Sequence, residues 1–528
     1  MYSRRLSVTN EVKVQRSLQN KRLASEIEER IPKIRKSQKM FDQFLIMGAP
    51  LKFEEQSPEP VILASYPRVS KFTRPDSEVL MLLSFAFPNG FSKIRPDTTG
   101  LRTILTEFVF FLKEEADTIY GICVQFRGND KLFFASEQNL EYPFCYCLLT
   151  FTPFISAHFT FLSYLSLLMV KRINSIPHVN TENEVPLPVL TEEIFAHLVP
   201  DKNFPHVTVL PGLNATQELR DELLFYYSLP TKAKDVNPYP KIPLSPKINL
   251  CLPLHLTKNQ CFAYSSFHSL FNTFKISEIV TIYTAILLEM RVVFISKRDL
   301  HLLSMSLISI ITLFKPFKSK STIILPILPS KPFFLQILDS PVPYVIGTTS
   351  QTRDADLIVN IDSFEITANT NIPLLPQRNE LISKLINIIS TNGKKCTIPQ
   401  CDVNGDKPLC PEFIKFVDNY NPYNFPFIYI SLIKLTYIFP PNIVDTIIDV
   451  FRNHITPSLT ETINSCLVTD NSDPHKPVTI CNIGLFLCQV PDCDREFYEK
   501  FTQTNTWETY CDKLSEIRNK MIKEQSNT

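Results

Sequence analysis

The residues that could do covalent chemistry are spaced in ways that exclude the commonest catalytic motifs. The chain of 528 residues has ten glycines, and the closest two are Gly121 and Gly128. A P-loop, a dinucleotide-binding fingerprint and a G-x-S-x-G elbow each need glycines about two to five positions apart. The nine histidines include no H-E-x-x-H pair. The sequence therefore predicts a protein without covalent catalysis, without a nucleotide cradle of its own, and without a metal or other cofactor.

The cysteines and one histidine are interpreted as structural groups. None of the 13 cysteines forms a C-x-x-C pair, and no apolar leader follows Met1, which predicts reduced thiols in a cytoplasmic protein. Cys145 and Cys147 are two positions apart and share one face of a predicted strand, where buried thiols are favoured over metal ligands. His158 lies in a charge-free apolar segment and is predicted to be a hydrogen-bonded or helix-face histidine.

Charge is distributed unevenly along the chain. Residues 1–40 hold 11 Lys and Arg against 4 Asp and Glu, whereas the remainder holds 43 against 49. A mildly acidic body lacks the concentrated basic face that binds nucleic acid, so protein partners are expected. Two interpretations of the basic tail stay open, a solvated mobile tail and a weak contact with an anionic membrane surface.

Five short apolar segments predict one N-terminal sheet. They are rich in β-branched and aromatic residues and separated by turn signals; the segments are 61–68, 78–88, 107–113, 119–128 and 144–153. The charge-free segment 154–170 then predicts a helix packed across that sheet. A membrane span is the alternative, and the recurring polar residues in the segment favour the core helix.

The middle of the chain alternates helix and strand, which predicts a parallel sheet covered on both faces. A linker (173–215) and a proline-rich extended passage (229–253) precede it. Predicted helices cover 277–290 with Ser277 as N-cap, 299–314 with Asp299 as N-cap, and 331–338; predicted strands cover 291–296, 321–328, 344–348 and 356–362. We interpret 321–328 as a buried central strand ended by prolines. A polar interruption at 392–410 leads into mainly helical sequence.

These segments in this order resemble the DENN domain, with its upstream, central and downstream parts. The central part carries the most specific match, a set of residues spread over some sixty positions: Glu289, Arg291, Ser296, Pro316, Phe317, Pro326, Pro329, Pro341, Pro343 and Gly347. The turn at 85–91 and the "LLFYYSLP" lead-in (223–230) agree more weakly. Near the C-terminus, Phe501, Thr504 and Trp507 fall at the family's phenylalanine, threonine and phenylalanine positions, with tryptophan replacing the last phenylalanine.

The resemblance implies a two-lobed α/β fold. An N-terminal longin-like α/β module would be followed by a C-terminal three-layer α/β lobe that ends in a helical segment. The expected divisions are a basic tail (1–40), the N-lobe (41–172), a linker (173–215), the central part (216–390), a polar loop (391–411) and the mainly helical downstream part (412–528).

The resemblance also implies guanine-nucleotide exchange on a Rab-type small GTPase in membrane trafficking. Charged residues at predicted strand ends between the lobes are the expected contacts with the GTPase: Arg68, Arg127, Arg353, Asp354 and Asp356. Solvated loop charge is the alternative for each of them. Glu289 and Arg291 flank a buried strand and are interpreted as a structural ion pair.

Two other functions stay open. The domain could stimulate GTP hydrolysis, with Arg127 as the inserted arginine that stabilises phosphoryl-transfer charge. It could also act as a scaffold that binds an active GTPase without catalysing exchange.

Overall fold

Two five-stranded sheets, one from each half of the chain, position the other elements. The structure is a computed structural model that describes residues 39–50, 58–66, 76–93, 104–114, 117–127, 142–175, 222–223, 225–229, 231, 241–245, 248–352, 354–392, 394–395, 437–439, 441–470 and 478–526. The first sheet is antiparallel, the second is mostly parallel, and helices follow it. The predicted α/β fold with two lobes and a helical C-terminal segment is confirmed.

The N-terminal sheet has the strand order β2-β1-β5-β4-β3, and every neighbouring pair is antiparallel. The strands are β1 (Gln43–Gly48), β2 (Val61–Tyr66), β3 (Ile104–Glu114), β4 (Asp117–Arg127) and β5 (Pro143–Thr150); the helices are α1 (Asp76–Ala86) and α2 (Ile155–Ser175). Both β1 and β5 are buried along their whole length. The sheet is therefore covered on both faces at its centre.

The predicted strand at 78–88 is wrong, because these residues form helix α1. An apolar run of this length does not distinguish a buried strand from a buried helix. The buried positions include Val79, Leu82, Leu83 and Ala86, which are spaced as on one helical face, while Leu80 is 49% exposed. The prediction of five strands in one sheet holds because β1, which was not predicted, replaces this segment.

Helix α2 confirms the predicted core helix. Its described side chains pack in a cluster with β3, β4 and β5, and Phe159 and Phe161 are fully buried. None of the helices in the described part of the chain combines the length and the apolar character that a bilayer crossing needs.

The central sheet has the strand order β12-β11-β8-β10-β9, in which β8 to β11 are parallel and β12 is an antiparallel edge strand. Its strands are β8 (Val292–Ile295), β9 (Ile323–Leu328), β10 (Tyr344–Thr348), β11 (Leu357–Asn360) and β12 (Glu365–Ala368). A hairpin of β6 (Lys241–Ser245) and β7 (Ile248–Cys251) precedes it, so the proline-rich passage contains regular structure that was not predicted.

Helices cover the two faces of this sheet unequally. The helices are α3 (Lys258–Phe271), α4 (Ile276–Leu287), α5 (Leu300–Thr312) and α6 (Pro332–Leu335), which continues as a 3₁₀ turn (Gln336–Asp339). Val292 and Phe294 of β8 pack into the large core that includes α4 and α5. Val293 and Ile295 point to the other face, where the short α6 region forms the third layer.

Strand β9 lies at the edge of the sheet, so the interpretation of 321–328 as a central strand is wrong. An edge position suits Pro326, which has no N–H to donate. The register between β9 and β10 shifts between Ile346 and Thr348. At Gly347 an added Cβ would lie 2.1 Å from the carbonyl oxygen of Pro326, so the two strands approach here in a way that only glycine permits.

One of the two predicted N-caps is correct. Asp299 caps α5, and its carboxylate accepts a hydrogen bond from the N–H of Leu302 at 2.8 Å. Ser277 is not the cap of α4, because the helix begins one residue earlier and Lys275 occupies the N-cap position. There the Glu278 carboxylate accepts from the Lys275 N–H at 2.9 Å.

The described residues of the C-terminal segment are mainly helical, as predicted, while residues 412–436 of that prediction lie outside the described residues. It contains α7 (Arg378–Asn392), the short pair β13 (Lys394–Lys395) and β14 (Tyr437–Ile438), α8 (Pro441–Cys466), the hairpin of β15 (Leu467–Asp470) and β16 (Val478–Cys481), α9 (Ile483–Gln489), α10 (Arg495–Phe501) and α11 (Asn505–Ser526). The basic tail and most of the predicted linker and polar loop lie outside the described residues, and the division boundaries stay predictions.

Candidate functional site

The amino ends of the parallel strands carry an ion pair that locks β8 to β11. The Arg291 guanidinium donates to Asp356 through Nε at 3.3 Å and Nη2 at 3.1 Å, and the Arg291 backbone N–H donates to the same carboxylate at 2.9 Å. The two side chains are 28% and 18% exposed. The hydrogen bond to Asp356 raises the pKa of Arg291. One carboxylate therefore fixes both the side chain and the backbone at the start of β8.

Glu289 does not pair with Arg291, so the interpretation of these residues as one ion pair is wrong. Its carboxylate reaches the N-terminus of α11, where it accepts from the N–H groups of Asn505 at 3.0 Å and Thr506 at 2.9 Å, and from the Thr506 hydroxyl at 2.9 Å. Ser321 donates to it more weakly at 3.4 Å. A negative charge at this position satisfies helix N–H groups and complements the helix dipole.

Phe317, another of the motif residues, also joins the central part to the C-terminal helices. Phe317 is buried, and its ring centroid lies 5.8 Å from that of Phe501 and 5.0 Å from that of Tyr510. Thr504 acts as the side-chain cap of α11, since its hydroxyl accepts from the N–H of Trp507 at 3.1 Å. Glu289, Phe317 and Thr504 therefore act in packing and helix capping between these elements.

The carboxyl ends of the strands form a separate polar edge. The Ser296 hydroxyl donates to Asp362 at 2.7 Å, and the Lys297 N–H donates to the same carboxylate at 2.8 Å. Ser296 also accepts from the N–H of Asp299 at 3.0 Å. Burial raises the pKa of Asp299, and the nearby charge of Asp362 adds to that rise. These bonds fix the turn between β8 and α5.

The N-terminal lobe docks at this same edge. Past the end of β9, the Ser330 N–H donates to the carbonyl oxygen of Pro88 at 2.9 Å. Beside this bond, the rings of Phe85 and Phe334 lie 5.5 Å apart in an edge-to-face contact. The turn that follows α1 therefore meets the turn that precedes α6 at the carboxyl edge of the central sheet. Ligands of open α/β sheets bind at such edges.

A buried polar contact holds the lobes together behind this edge. The N–H of Val109 in β3 donates to the hydroxyl of Ser304 in α5 at 3.3 Å. Glu107, also in β3, is fully buried and accepts a hydrogen bond from Ser163 of α2 at 2.6 Å. Burial raises the pKa of Glu107 to about 8, while the bond from Ser163 opposes the rise. Glu107 was not among the predicted residues, although a charged residue at the start of the apolar segment "EFVFFLK" was a signal.

The predictions for His158 and the paired cysteines are consistent with the structure. His158 is fully buried, with Nε2 2.9 Å from the Thr152 hydroxyl and Nδ1 2.7 Å from the Tyr226 hydroxyl. Burial lowers the pKa of His158 to about 3, and it does the same for His268 and His301. Cys145 and Cys147 are buried free thiols on one face of β5. The described residues hold no cluster of three or more His, Cys, Asp and Glu that could bind a metal.

The five predicted GTPase contacts do not form one cluster in the described part of the chain. Arg68 and Arg353 lie outside the described residues, and for Arg127 only the backbone is described, opposite Pro143 at the end of β4. Asp354 is exposed near the amino end of β11, and Asp356 is committed to its ion pair. That amino end is opposite the carboxyl edge at which the N-terminal lobe docks.

Comparison with known proteins gives a partial match over the central part of the chain. A family model described as DENN (AEX-3) domain matches residues 222–363. DENN domain-containing protein 2A from Mus musculus and the protein of the same name from Homo sapiens are each 34% identical over 105 residues. That alignment covers 20% of this chain and 10% of each relative, so the match spans a tenth of their length. Residues 222–363 include β8 to β11 and the motif residues at both strand edges, so it is this central part of the chain that matches the DENN (AEX-3) domain.

Proposed function

We propose that this protein is a guanine-nucleotide exchange factor for a Rab-type small GTPase and that it acts in the cytoplasm on trafficking membranes. The observation that carries the proposal is the match of residues 222–363 to the DENN (AEX-3) domain. Members of this family are generally Rab exchange factors. The contact between the two lobes at the carboxyl edge supports the proposal, because both lobes contribute surface at that edge.

Exchange requires no covalent step from the protein. The factor binds the empty GTPase more tightly than the nucleotide-loaded GTPase, and linkage then requires that its binding weaken the hold on GDP by the same factor. GTP rebinds and displaces the factor by mass action. A rigid pair of lobes suits an exchange factor. A surface that deforms on contact with the GTPase could not change the conformation of the GTPase. The cores shared by the two lobes and the Val109–Ser304 hydrogen bond supply that rigidity.

We infer two candidate contact surfaces, one at the carboxyl edge and one at the amino edge of the central sheet. The surface at the carboxyl edge, where the two lobes meet, would use Arg127, with Arg68 as a further contact. The amino edge would use Arg353 and Asp354. Asp356 would contribute less, because it is paired with Arg291. We propose the carboxyl edge as the main surface, because both lobes reach it.

The test is a GDP-release screen. A panel of Rab-type GTPases loaded with fluorescent GDP is mixed with the chain at increasing concentration and excess GTP, and chelation of magnesium gives the maximal release rate for each GTPase. We expect acceleration with at least one member. No acceleration with any member at saturating protein would overturn the exchange proposal.

The same proteins separate exchange from the two alternatives. Tighter binding of nucleotide-free than of GTP-loaded GTPase is expected for an exchange factor, and the reverse order would identify a scaffold. Stimulated GTP hydrolysis that disappears in Arg127→Ala would identify an activating protein. For the surface itself, Arg127→Glu should slow GDP release, whereas Glu499→Lys on the exposed face of α10 should leave it unchanged.

A further inference from the structure

The loop that joins helix α5 to strand β9 presents three lysines to solvent. We call residues 313–322 the lysine loop; within it Lys315, Lys318 and Lys320 are exposed. None of the three ammonium groups forms an ion pair or a side-chain hydrogen bond with a described residue. The described part of the chain therefore supplies no direct partner for this concentration of positive charge.

The other residues of the lysine loop fix its backbone. Phe317 is buried against α10 and α11. The Ser319 hydroxyl accepts a hydrogen bond from the N–H of Thr322 at 3.1 Å, and the Lys320 N–H donates to the Asn505 side chain of α11 at 3.0 Å. Because the loop is anchored in this way, a partner that binds its lysines does not have to order the backbone first.

Nearby carboxylates do not cancel the charge of the lysine loop. Glu289 is occupied by the first turn of α11. Glu508 is exposed, and its carboxylate accepts from the Asn505 side chain at 3.5 Å, so even with Glu508 counted the lysines leave an excess of positive charge. Asp354 lies three strands away from β9, about 14 Å at about 4.8 Å per strand, which exceeds the screening length of about 8 Å at physiological salt.

The side chains of the lysine loop select among the possible anionic partners. Its exposed charges are all lysines, and the Phe317 ring is buried. The centres of protein–protein interfaces favour arginine and aromatic side chains and are depleted in lysine, and single-stranded nucleic acids stack on exposed aromatic rings. A membrane that contains anionic lipids attracts clustered lysines without a pocket or a stacking ring. An anionic membrane surface therefore fits this loop best.

We propose that the lysine loop is a docking surface for an anionic membrane. Helix α5 starts at the carboxyl end of β8 and the lysine loop enters β9 at its amino end, so the loop lies at the amino edge of the central sheet. A membrane bound there leaves the carboxyl edge, where the two lobes meet, open to a GTPase. The proposal does not depend on exchange activity, because lipid binding is measured without any GTPase.

The first experiment maps lysine accessibility on the full wild-type chain. The chain is acetylated with an N-hydroxysuccinimide ester in the presence of phosphatidylcholine vesicles with about 30% phosphatidylserine, and mass spectrometry follows each lysine. We expect slower acetylation of Lys315, Lys318 and Lys320. Lys297 and Lys331 are exposed lysines at the carboxyl edge and should keep their rates. Vesicles of phosphatidylcholine alone should protect none of them, and about 1 M salt should abolish the protection, since the screening length falls to about 3 Å.

The second experiment measures vesicle binding by sedimentation. Lys318→Gln/Lys320→Gln should weaken binding about 30-fold, because each lysine near an anionic membrane contributes about 1 kcal/mol and about 1.4 kcal/mol is a factor of ten. Lys297→Gln/Lys331→Gln is the matched control, since it removes the same charge from the opposite edge, and it should bind as the wild type does. The basic tail (1–40) is present in every sample, so its contribution is the same in all comparisons.

Three results would overturn the proposal. The first is equal protection of all five lysines, and the second is equal loss of binding in the two double variants, either of which would mean that net charge alone attracts the chain. The third is protection of the lysine loop by polyglutamate but not by the vesicles, which would identify an acidic protein partner instead. The accessibility map of the wild-type chain decides the first and the third, so a folding defect in a variant does not affect them.

Discussion

The loss of the Glu289 carboxylate should detach the N-terminus of α11 from the central lobe. Glu289→Ala removes three hydrogen bonds of 2.9–3.0 Å to Asn505 and Thr506, and the two backbone donors it frees lie in the first turn of the helix. The backbone at residue 289 has a φ of 52°, a left-handed conformation that is unfavourable for glutamate and alanine alike. The variant therefore loses the bonds without any relief of strain.

The size of the effect follows from these bonds. Loss of a helix cap costs about 1 kcal/mol, and each hydrogen bond to a charged group contributes about 1.5 kcal/mol at the lower end of its range. Water reaches this half-buried site and replaces part of the loss. We expect the free energy of unfolding to fall by about 3 kcal/mol, and Glu289→Gln, which keeps the acceptor but not the charge, to lose about 1 kcal/mol.

Two measurements check this prediction. Urea denaturation followed by circular dichroism gives the overall change, and amide hydrogen exchange at Asn505 and Thr506 gives the local one. A loss of about 3 kcal/mol corresponds to exchange about a hundredfold faster at those two amides. The control is Glu499→Ala, which changes an exposed carboxylate in the neighbouring α10. If both variants shift stability and exchange equally, Glu289 does not cap this helix.

Three further perturbations test other parts of the structure. Gly347→Ala should cost about 2 kcal/mol or more in urea denaturation, because its Cβ would meet a backbone carbonyl of β9 at 2.1 Å. Asp356→Ala should cost about 2 kcal/mol and Arg291→Ala about 1 kcal/mol, because only Asp356 also accepts from the backbone N–H of Arg291. Below pH 6.5, thermal stability should fall as the pH decreases, and His158→Gln should reduce that slope.

The sign of the pH dependence follows from the depressed pKa of the three buried histidines. Below about pH 6.5 the unfolded chain takes up protons that the folded chain does not bind, so each histidine lowers the free energy of unfolding by about 1.4 kcal/mol per pH unit. Glu107 acts in the opposite direction, because its pKa is raised to about 8 and its folded form keeps a proton that the unfolded chain releases above about pH 4.5. Because three histidines oppose one carboxyl, the net effect is a fall in the free energy of unfolding as the pH decreases from 6.5 to 5.

The remaining outcomes are also decisive. Gly484→Ala is the control for Gly347→Ala, since its nearest contact for an added Cβ is at 3.4 Å, and equal losses would show that close approach of strands is not the cause. Equal losses in Asp356→Ala and Arg291→Ala would mean that the backbone hydrogen bond contributes nothing. A melting temperature that stays constant from pH 7 to 5 would contradict the neutral state of the buried histidines.

Local pattern predicted most elements of this fold. Strands such as "VVFI" at 292–295 and the capped helix at 300–312 follow from β-branched runs and from Asp299 directly before an apolar period. Helix α1 was missed because Leu, Met and Phe in a short run fit both a buried strand and a buried helix. The order of the strands in the sheet could not be predicted either. The edge position of β9 depends on pairings between distant segments, which the local sequence pattern does not indicate.

The site was harder to predict than the fold. Glu289 meets Asn505 and Thr506 across 216 and 217 positions of sequence, and nothing at residue 289 indicates those partners. Arg291 and Asp356 are 65 positions apart, so the pairing of Arg291 with its neighbour in the sequence motif was the natural but wrong inference. A buried group such as Glu107 shows in the sequence only as a charged residue within an apolar segment. Its partners are set by the packing of distant elements.

The meeting of β3 with β9 has a consequence for folding and solubility. Each is the outermost strand of its own sheet, and the two strands lie against each other in the assembled molecule. A bare edge strand offers unpaired N–H and C=O groups to any other chain, which promotes aggregation. Since each lobe shields the other's edge, separation of the lobes would uncover two aggregation-prone strands at once. We therefore expect either lobe expressed alone to precipitate, and the two lobes expressed together as separate chains to protect each other.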